Sequence, residues 1–427
     1  MKLHIRQILF IGLGLLAYTS MSAQHTYTLD ECIDKALKNN VRIKNADNDL
    51  SAAKHGSKEA FTKYFPSVSA TGGGFMANKG LIQMEMVPGT EMSMLKNGIV
   101  GGVSASMPLF TGGQIVNANK LSKINIEVNR LQRGLSANAV QLTTEQYFWQ
   151  IVMLKEMLKT LSSVEEQLES IRKDVEASVS AGVTNRNELL QVQLRKNETR
   201  SSRISVENAL SVSRNLLAQY IGCTSDGIDV AFSFDETLPS HPDELYRTPE
   251  TSLQLTHEYS LLQQNVKASH LQYKMSVGKN LPSVAIGGGY MYDNLMDKDH
   301  PFWVGFATVS VPLSGWWGGS HAMKKQKLQI RNAENQFTDQ SQLLIIRMNN
   351  TWNDLTDAYK QVEIAIESIG QATENLRLQS DYYHAGTCTM SDLLEAQTLY
   401  QQSRDKYVES YAQYEVKKRE YLQATGR

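Results

Sequence analysis

The stretch "LPSVAIGGGY", Leu281–Tyr290, decides how the rest of the chain is read. Val284, Ile286, Gly288, Tyr290 and, just beyond, Tyr292 fall on alternate positions, the period of a β-strand with one apolar face. Pro282 stands at its start, where a helix would lose a hydrogen bond and clash with its previous turn. An earlier stretch, "FPSVSATGGG" (Phe65–Gly74), has the same outline, so strands are expected over 67–76 and 283–292. Two partners of similar length follow, over 99–108 and 302–312. About ten tilted residues is the length at which a β-strand crosses a bilayer. Phe302, Trp303, Phe306, Trp316 and Trp317 stand near strand ends, where interfacial aromatics collect. Two hairpins of a small soluble sheet would fit the four segments equally well.

The two copies extend along the chain. "MPLFTGG" (Met107–Gly113) returns as "VPLSGWWGG" (Val311–Gly319), and "SAGVTNRNELLQVQ" (Ser180–Gln193) as "HAGTCTMSDLLEAQ" (His384–Gln397). Pro66 and Pro282 are 216 residues apart, whereas Pro108 and Pro312 are 204 apart. The first copy therefore carries 12 extra residues between these landmarks, in a connection that tolerates insertion. Internal repetition on this scale implies two structural copies, residues 24–222 and 251–427, joined by a linker over 223–250 with room for a short strand.

Between the strand pairs the chain reads as helix, since Gly112–Tyr220 and Leu313–Arg427 contain no proline. Tyr147, Leu154, Leu161, Leu168 and Val175 recur every seven residues, as do Leu355, Val362, Ile369, Leu376 and Tyr383. A third seam runs through Leu393, Tyr400, Tyr407, Tyr414 and Tyr421. Sevenfold recurrence marks a coiled-coil seam. The expected helix over 114–180 would run roughly 100 Å at 1.5 Å per residue. Helices over 29–64 and 187–221 are each about half as long, and 320–384 stands in the same relation to 252–279 and 389–424. The fold class expected is mostly helical, with long coiled-coil helices and four strands per chain.

The amino terminus, "MKLHIRQILFIGLGLLAYTSMSAQ", has Lys2 and Arg6, an apolar run and small residues before Gln24, the pattern of a signal peptide over 1–23. Lys plus Arg (43) nearly balances Asp plus Glu (44), so no basic field favours nucleic acid. Cys32, Cys223 and Cys388 lack zinc-type spacing and read as incidental. The histidines are scattered and no phosphate loop or nucleophile elbow occurs, so neither an enzyme nor a cofactor is expected. Met76, Met84, Met86, Met92 and Met94 crowd the first strand connection, where thioethers could contact copper or fill apolar gaps.

In hydrocarbon a sheet must close on itself, because its backbone has no water to bond. Four strands are too few, so a membrane reading requires several copies to pool theirs. With the paired "PSV…GGG" strands, "MPLFTGG" leading into a long helix and the "AG…(E/D)LL" turns in duplicated order, the chain resembles the TolC-like outer-membrane efflux proteins over essentially its whole mature length. The resemblance implies a homotrimer in outer-membrane lipid, with twelve pooled strands and an α-helical periplasmic tunnel. It implies partners too, a periplasmic adaptor and an inner-membrane pump.

The two quoted turns would then be the periplasmic tips. Gly182 with Asn185 and Glu188, and Gly386 with Thr389 and Asp392, are spaced to turn the chain and cap the next helix. Capping accounts for Glu188 and Asp392 but not for Glu395. The resemblance places Asp392, Glu395, Glu188 and Tyr383 at a periplasmic constriction, and Ala181, Gly182, Val183 and Thr184 with Ala385, Gly386, Thr387, Cys388 and Thr389 at adaptor-docking tips. Gln191 stands where the second copy has Glu395, and no basic partner lies in the turn of Cys388, which weighs against a salt-bridge latch. The competing expectation is a periplasmic coiled-coil scaffold or surface adhesin without a conduit.

Overall fold

A computed structural model describes residues 25–87, 90–223, 228–234, 237–295, 298–313 and 315–427. The expected signal peptide, 1–23, lies outside them, as do the side chains of Met84, Met86, Met92 and Met94. The described residues form two compact units, and each draws on both sequence copies. One comprises the chain up to Asn45 with Leu135–Thr256 and Ile345–Arg427; the other comprises Ala46–Gly134 and His257–Leu344.

The second unit holds the sheet. Its strands β2 (Ser67–Met76), β5 (Asn97–Thr111), β7 (Ser283–Asp293) and β8 (His300–Ser310) lie in the order β2-β5-β7-β8, antiparallel throughout. Register sorts the two faces. Val68 pairs with Ala105, Ala70 with Val103, Val103 with Tyr290, Tyr290 with Trp303 and Val284 with Val309, so one face is apolar across all four strands. The other carries hydroxyls on β2 and β5, where Ser67 meets Ser106 at 2.9 Å and Ser69 meets Ser104 at 3.2 Å. The apolar face is uncovered within the chain, with Val68 at 68% and Trp303 at 81% exposure. Among the described residues, strands β2 and β8 each have one edge without a partner.

The strands of the first copy differ from expectation in two details. Strand β5 continues past Pro108 to Thr111, because a register shift between Pro108 and Phe110 admits a residue with no backbone donor. The extra residues of the first copy form a hairpin of β3 (Ile82–Val87) and β4 (Thr90–Met94) instead of a plain loop.

The first unit is helical. Its long helices are α3 (Gln114–Ser180), α4 (Arg186–Ile221), α7 (Gly315–His384) and α8 (Met390–Ala424), of which α3 and α7 also enter the second unit. The seven-residue seams face its core: Leu161, Leu168 and Val175 of α3, Leu355 and Val362 of α7, and Tyr407, Tyr414 and Tyr421 of α8 are buried. None of the described helices is long and apolar enough to cross a membrane.

The helix expected over 29–64 is two, α1 (Leu29–Asn39) and α2 (Val41–Thr62). Asn40 is extended; its side chain accepts from Arg42 N and donates to Tyr220 O at 3.0 Å, outcompeting helix continuation. Equally, the helix expected from 252 is α5 (Pro249–Leu253) followed by α6 (His257–Gly278), with Thr256 donating to Leu253 O at the break. Asn40 and Thr256 are 216 residues apart, the spacing of Pro66 and Pro282, so the break belongs to the duplicated design.

The linker is built against the tyrosines. Its strand β6 (Ile228–Val230) pairs in parallel with β1 (His25–Tyr27). Phe232 packs on Trp149 at 4.8 Å between centroids and Phe234 on Tyr411 at 5.0 Å. Tyr414 donates to Ser240 O at 2.7 Å, and Arg247 N donates to the Tyr421 hydroxyl at 2.9 Å. These rings fill the core while their hydroxyls fasten the linker. Cys32 is buried in the same unit as a free thiol, pushed up to about 12 mainly by burial.

Two carboxylates here predict opposite pH dependence. Burial raises Asp229, but hydrogen bonds from Lys155 (2.8 Å) and Arg214 (2.9 Å) outweigh it and hold the group below the usual range. Asp405, with Oδ1 buried and unpartnered, is pushed up to about 6, mainly by burial. In chemical unfolding followed by circular dichroism, Asp229→Ala should cost about 1–3 kcal/mol at pH 7, and that cost should vanish as pH falls through the depressed pKa. Asp405→Asn should stabilise at pH 7.5, a gain that fades as pH falls from about 6 toward 4.

Candidate functional site

Both quoted turns have the same backbone. After α3, Gly182 takes φ +73°, its N–H bonds Val179 O at 3.0 Å and Val183 N bonds Ser178 O at 2.9 Å. After α7, Gly386 takes φ +71°, with Gly386 N on Tyr383 O at 3.0 Å and Thr387 N on Tyr382 O at 2.9 Å. These bonds satisfy the last helix carbonyls, and a side chain at either glycine would strain the left-handed backbone. Leu168, Val175, Val192, Met390 and Leu393 form one buried cluster beside the turns, with Leu376 and Tyr383 packed on it.

The carboxylates diverge from this shared frame. Asp392 closes a capping box: Thr389 Oγ1 accepts from Asp392 N at 3.3 Å, and Asp392 Oδ2 accepts from Thr389 N at 2.9 Å and Thr389 Oγ1 at 2.7 Å. Those bonds from Thr389 hold Asp392 below the ordinary carboxylate range. Glu188, its counterpart, is capped through its backbone by Asn185 at 3.2 Å, but its carboxylate accepts from the Tyr383 hydroxyl at 2.8 Å. Burial and then Glu188 push the Tyr383 phenol well above its usual value. Thus α4 of the first copy is tied to α7 of the second. Glu395, one turn beyond Asp392, is exposed and has no ion pair among the described residues. Arg377 pairs with Glu374 and Asp381, and Arg172 with Glu169 and Glu176.

Around these groups Ala181, Gly182, Val183, Ala385, Gly386, Thr387 and Thr389 are exposed, and Thr184 and Cys388 partly so. Val183, at 80% exposure, is the apolar projection of the first turn. Cys388 donates to Gln379 O at 3.4 Å.

Sequence reasoning missed one polar feature. Gln397, 1% exposed, donates from Nε2 to Gln167 Oε1 at 2.7 Å and leaves its own Oε1 unpartnered. It lines a groove of about 450 Å³ with Gln167, Arg377, His384 and Tyr400. The signal was present, since Gln397 ends the repeated Leu-Leu-x-x-Gln, but it served there only as a marker of duplication. No cluster of three or more His, Cys, Asp or Glu able to hold a metal occurs among the described residues.

A sheet with one fully apolar face and two open edges, in one chain with coiled-coil helices ending in capped turns, defines an outer-membrane channel-tunnel protomer. The family model for outer membrane efflux proteins matches residues 32–223 and 249–427, and the chain belongs to that family. It is an outer-membrane efflux channel. Its fold is similar to the outer-membrane channel OprN (TM-score 0.79, 16% identity, 93% of this chain and 89% of that one). It is also similar to VceC from Vibrio cholerae (0.78, 11%, 93% and 96%) and to the open state of MtrE from Neisseria gonorrhoeae (0.76, 14%, 93% and 88%). No curated protein sequence matches significantly.

Thr389→Ala removes the capping box of α8, worth about 1 kcal/mol. Amide exchange over residues 390–393 should quicken about fivefold; unchanged exchange would show that the cap does not hold this turn.

Proposed function

We propose that three copies pool their sheets, β2 of one protomer pairing with β8 of the next, to form a twelve-stranded barrel continued by a helical periplasmic tunnel. One observation carries this: the register puts apolar side chains on one face of all four strands and leaves both edges open. Such a ribbon in lipid must pair its edges. A scaffold or adhesin in water would have no use for so large an apolar face.

The duct is passive, and its closure lies at the turns. Three Glu395 carboxylates, with the free Oδ1 of each Asp392, would ring the axis, attract cations and hinder leakage. The Glu188–Tyr383 bond latches the helices of the two copies in the closed arrangement. The exposed Val183 turn and the small residues of Ala385–Thr389 receive a periplasmic adaptor that links the duct to an inner-membrane pump.

Single-channel recordings in planar bilayers test this. Glu395→Gln breaks no ion pair among the described residues, so it should lower cation preference without altering folding. Tyr383→Phe should raise the ratio of open to closed channels by about 10- to 150-fold, as expected for loss of a charge-assisted hydrogen bond worth about 1.5–3 kcal/mol. Unchanged selectivity and gating would remove the gate from these residues.

A further inference from the structure

The duplication supplies an internal comparison on the face of the sheet opposite the apolar one. In the first copy that face carries Ser67, Ser69, Thr71, Ser104 and Ser106. In the second copy the register places Phe302, Val304 and Phe306 of β8 beside Met291, Gly289 and Gly287 of β7, while Ser283, Thr308 and Ser310 put hydroxyls on the same face only at the end beyond them. At the 204-residue spacing, Phe302 and Phe306 stand where the first copy has Gly98 and Gly102. The equivalent strand forms with glycine at both places, so pairing does not require the rings.

Nor are they core residues, since Phe302 is 38% and Phe306 45% exposed. Phe306 lies over Gly287, where a Cβ would collide with the ring, and Met291 Sδ lies against Gly102 in the same way. Both side chains are thus laid along the wall instead of across the space beside it. Between Ser67 and Phe75 on β2, Val100 and Ser106 on β5, Ser283 and Met291 on β7, and Phe302 and Ser310 on β8, this face carries no charged residue.

We infer that the barrel lumen is an amphiphilic slide, in which the hydroxyls of Ser67, Ser69, Thr71, Ser104 and Ser106 lie beside an apolar, aromatic stretch of Met291, Phe302, Val304 and Phe306, and that it takes organic molecules with an apolar or aromatic body. The inference rests on the pooled barrel proposed above, in which the hydroxyl-bearing face turns inward. A hydrated ion gains nothing from the aromatic stripe, whereas an aromatic solute stacks on it and still finds hydroxyl partners. Three copies would set three such stripes around the lumen.

The test is current block of the purified full-length channel in planar bilayers, with tetraphenylphosphonium compared against tetraethylammonium at equal charge. Wild type should hold the aromatic cation about tenfold longer than the Phe302→Ser/Phe306→Ser double variant does, with tetraethylammonium indifferent to the change. Trp303→Ser, on the lipid face, should leave both unchanged. If the double variant fails to assemble, Phe306→Leu alone should shorten the aromatic block severalfold. A conducting wild type that treats the two cations alike, or variants with unaltered block, would overturn the slide and leave the barrel standing. A chain that never conducts, either as wild type or as the unlatched Tyr383→Phe variant, would overturn both.

Discussion

The structure depends on the backbone hydrogen bonds at the edges of one narrow sheet. Among the described residues of a protomer the β2-β5-β7-β8 ladder is continuous and its apolar face has no cover, yet β2 and β8 each end in an edge with no partner strand. In water such edges are an aggregation hazard; in hydrocarbon they are untenable. Pairing with sister chains resolves both, and everything proposed about a lumen, its lining and its gate follows from that closure.

Duplication gives the chain two similar halves, and the places where they differ carry the functional argument. The Gly182 and Gly386 turns share their backbone bonds, yet Asp392 turns inward on its own cap while Glu188 reaches across to Tyr383. The sheet behaves alike: where β5 has Gly98 and Gly102, β8 has Phe302 and Phe306. Capping, turning and strand pairing are common to both copies, so a departure between equivalent positions isolates chemistry that the fold does not need.

Much of this was legible in the sequence because it is local. Pro66 and Pro282 separate helix from strand, and the heptads through Leu161 and Val362 mark the faces that the structure buries. Asn185 and Thr389 cap as their spacing suggested. What the sequence hid depends on distant partners. The break at Asn40 is fixed by Tyr220 O, the linker by the hydroxyls of Tyr414 and Tyr421, and the role of Glu188 by Tyr383. Periodicity within a window carries no information about such contacts, and the β3–β4 hairpin was likewise masked by being an insertion without a counterpart.

The central claim is that protomers close one another's sheets. Native mass spectrometry of the mature chain, extracted from outer membranes in mild detergent and paired with infrared measurement of its β content, tests it most directly. The account predicts a particle of three chains whose strand signal is lost when the particle is dissociated. A stable single chain that keeps the full strand signal would contradict it.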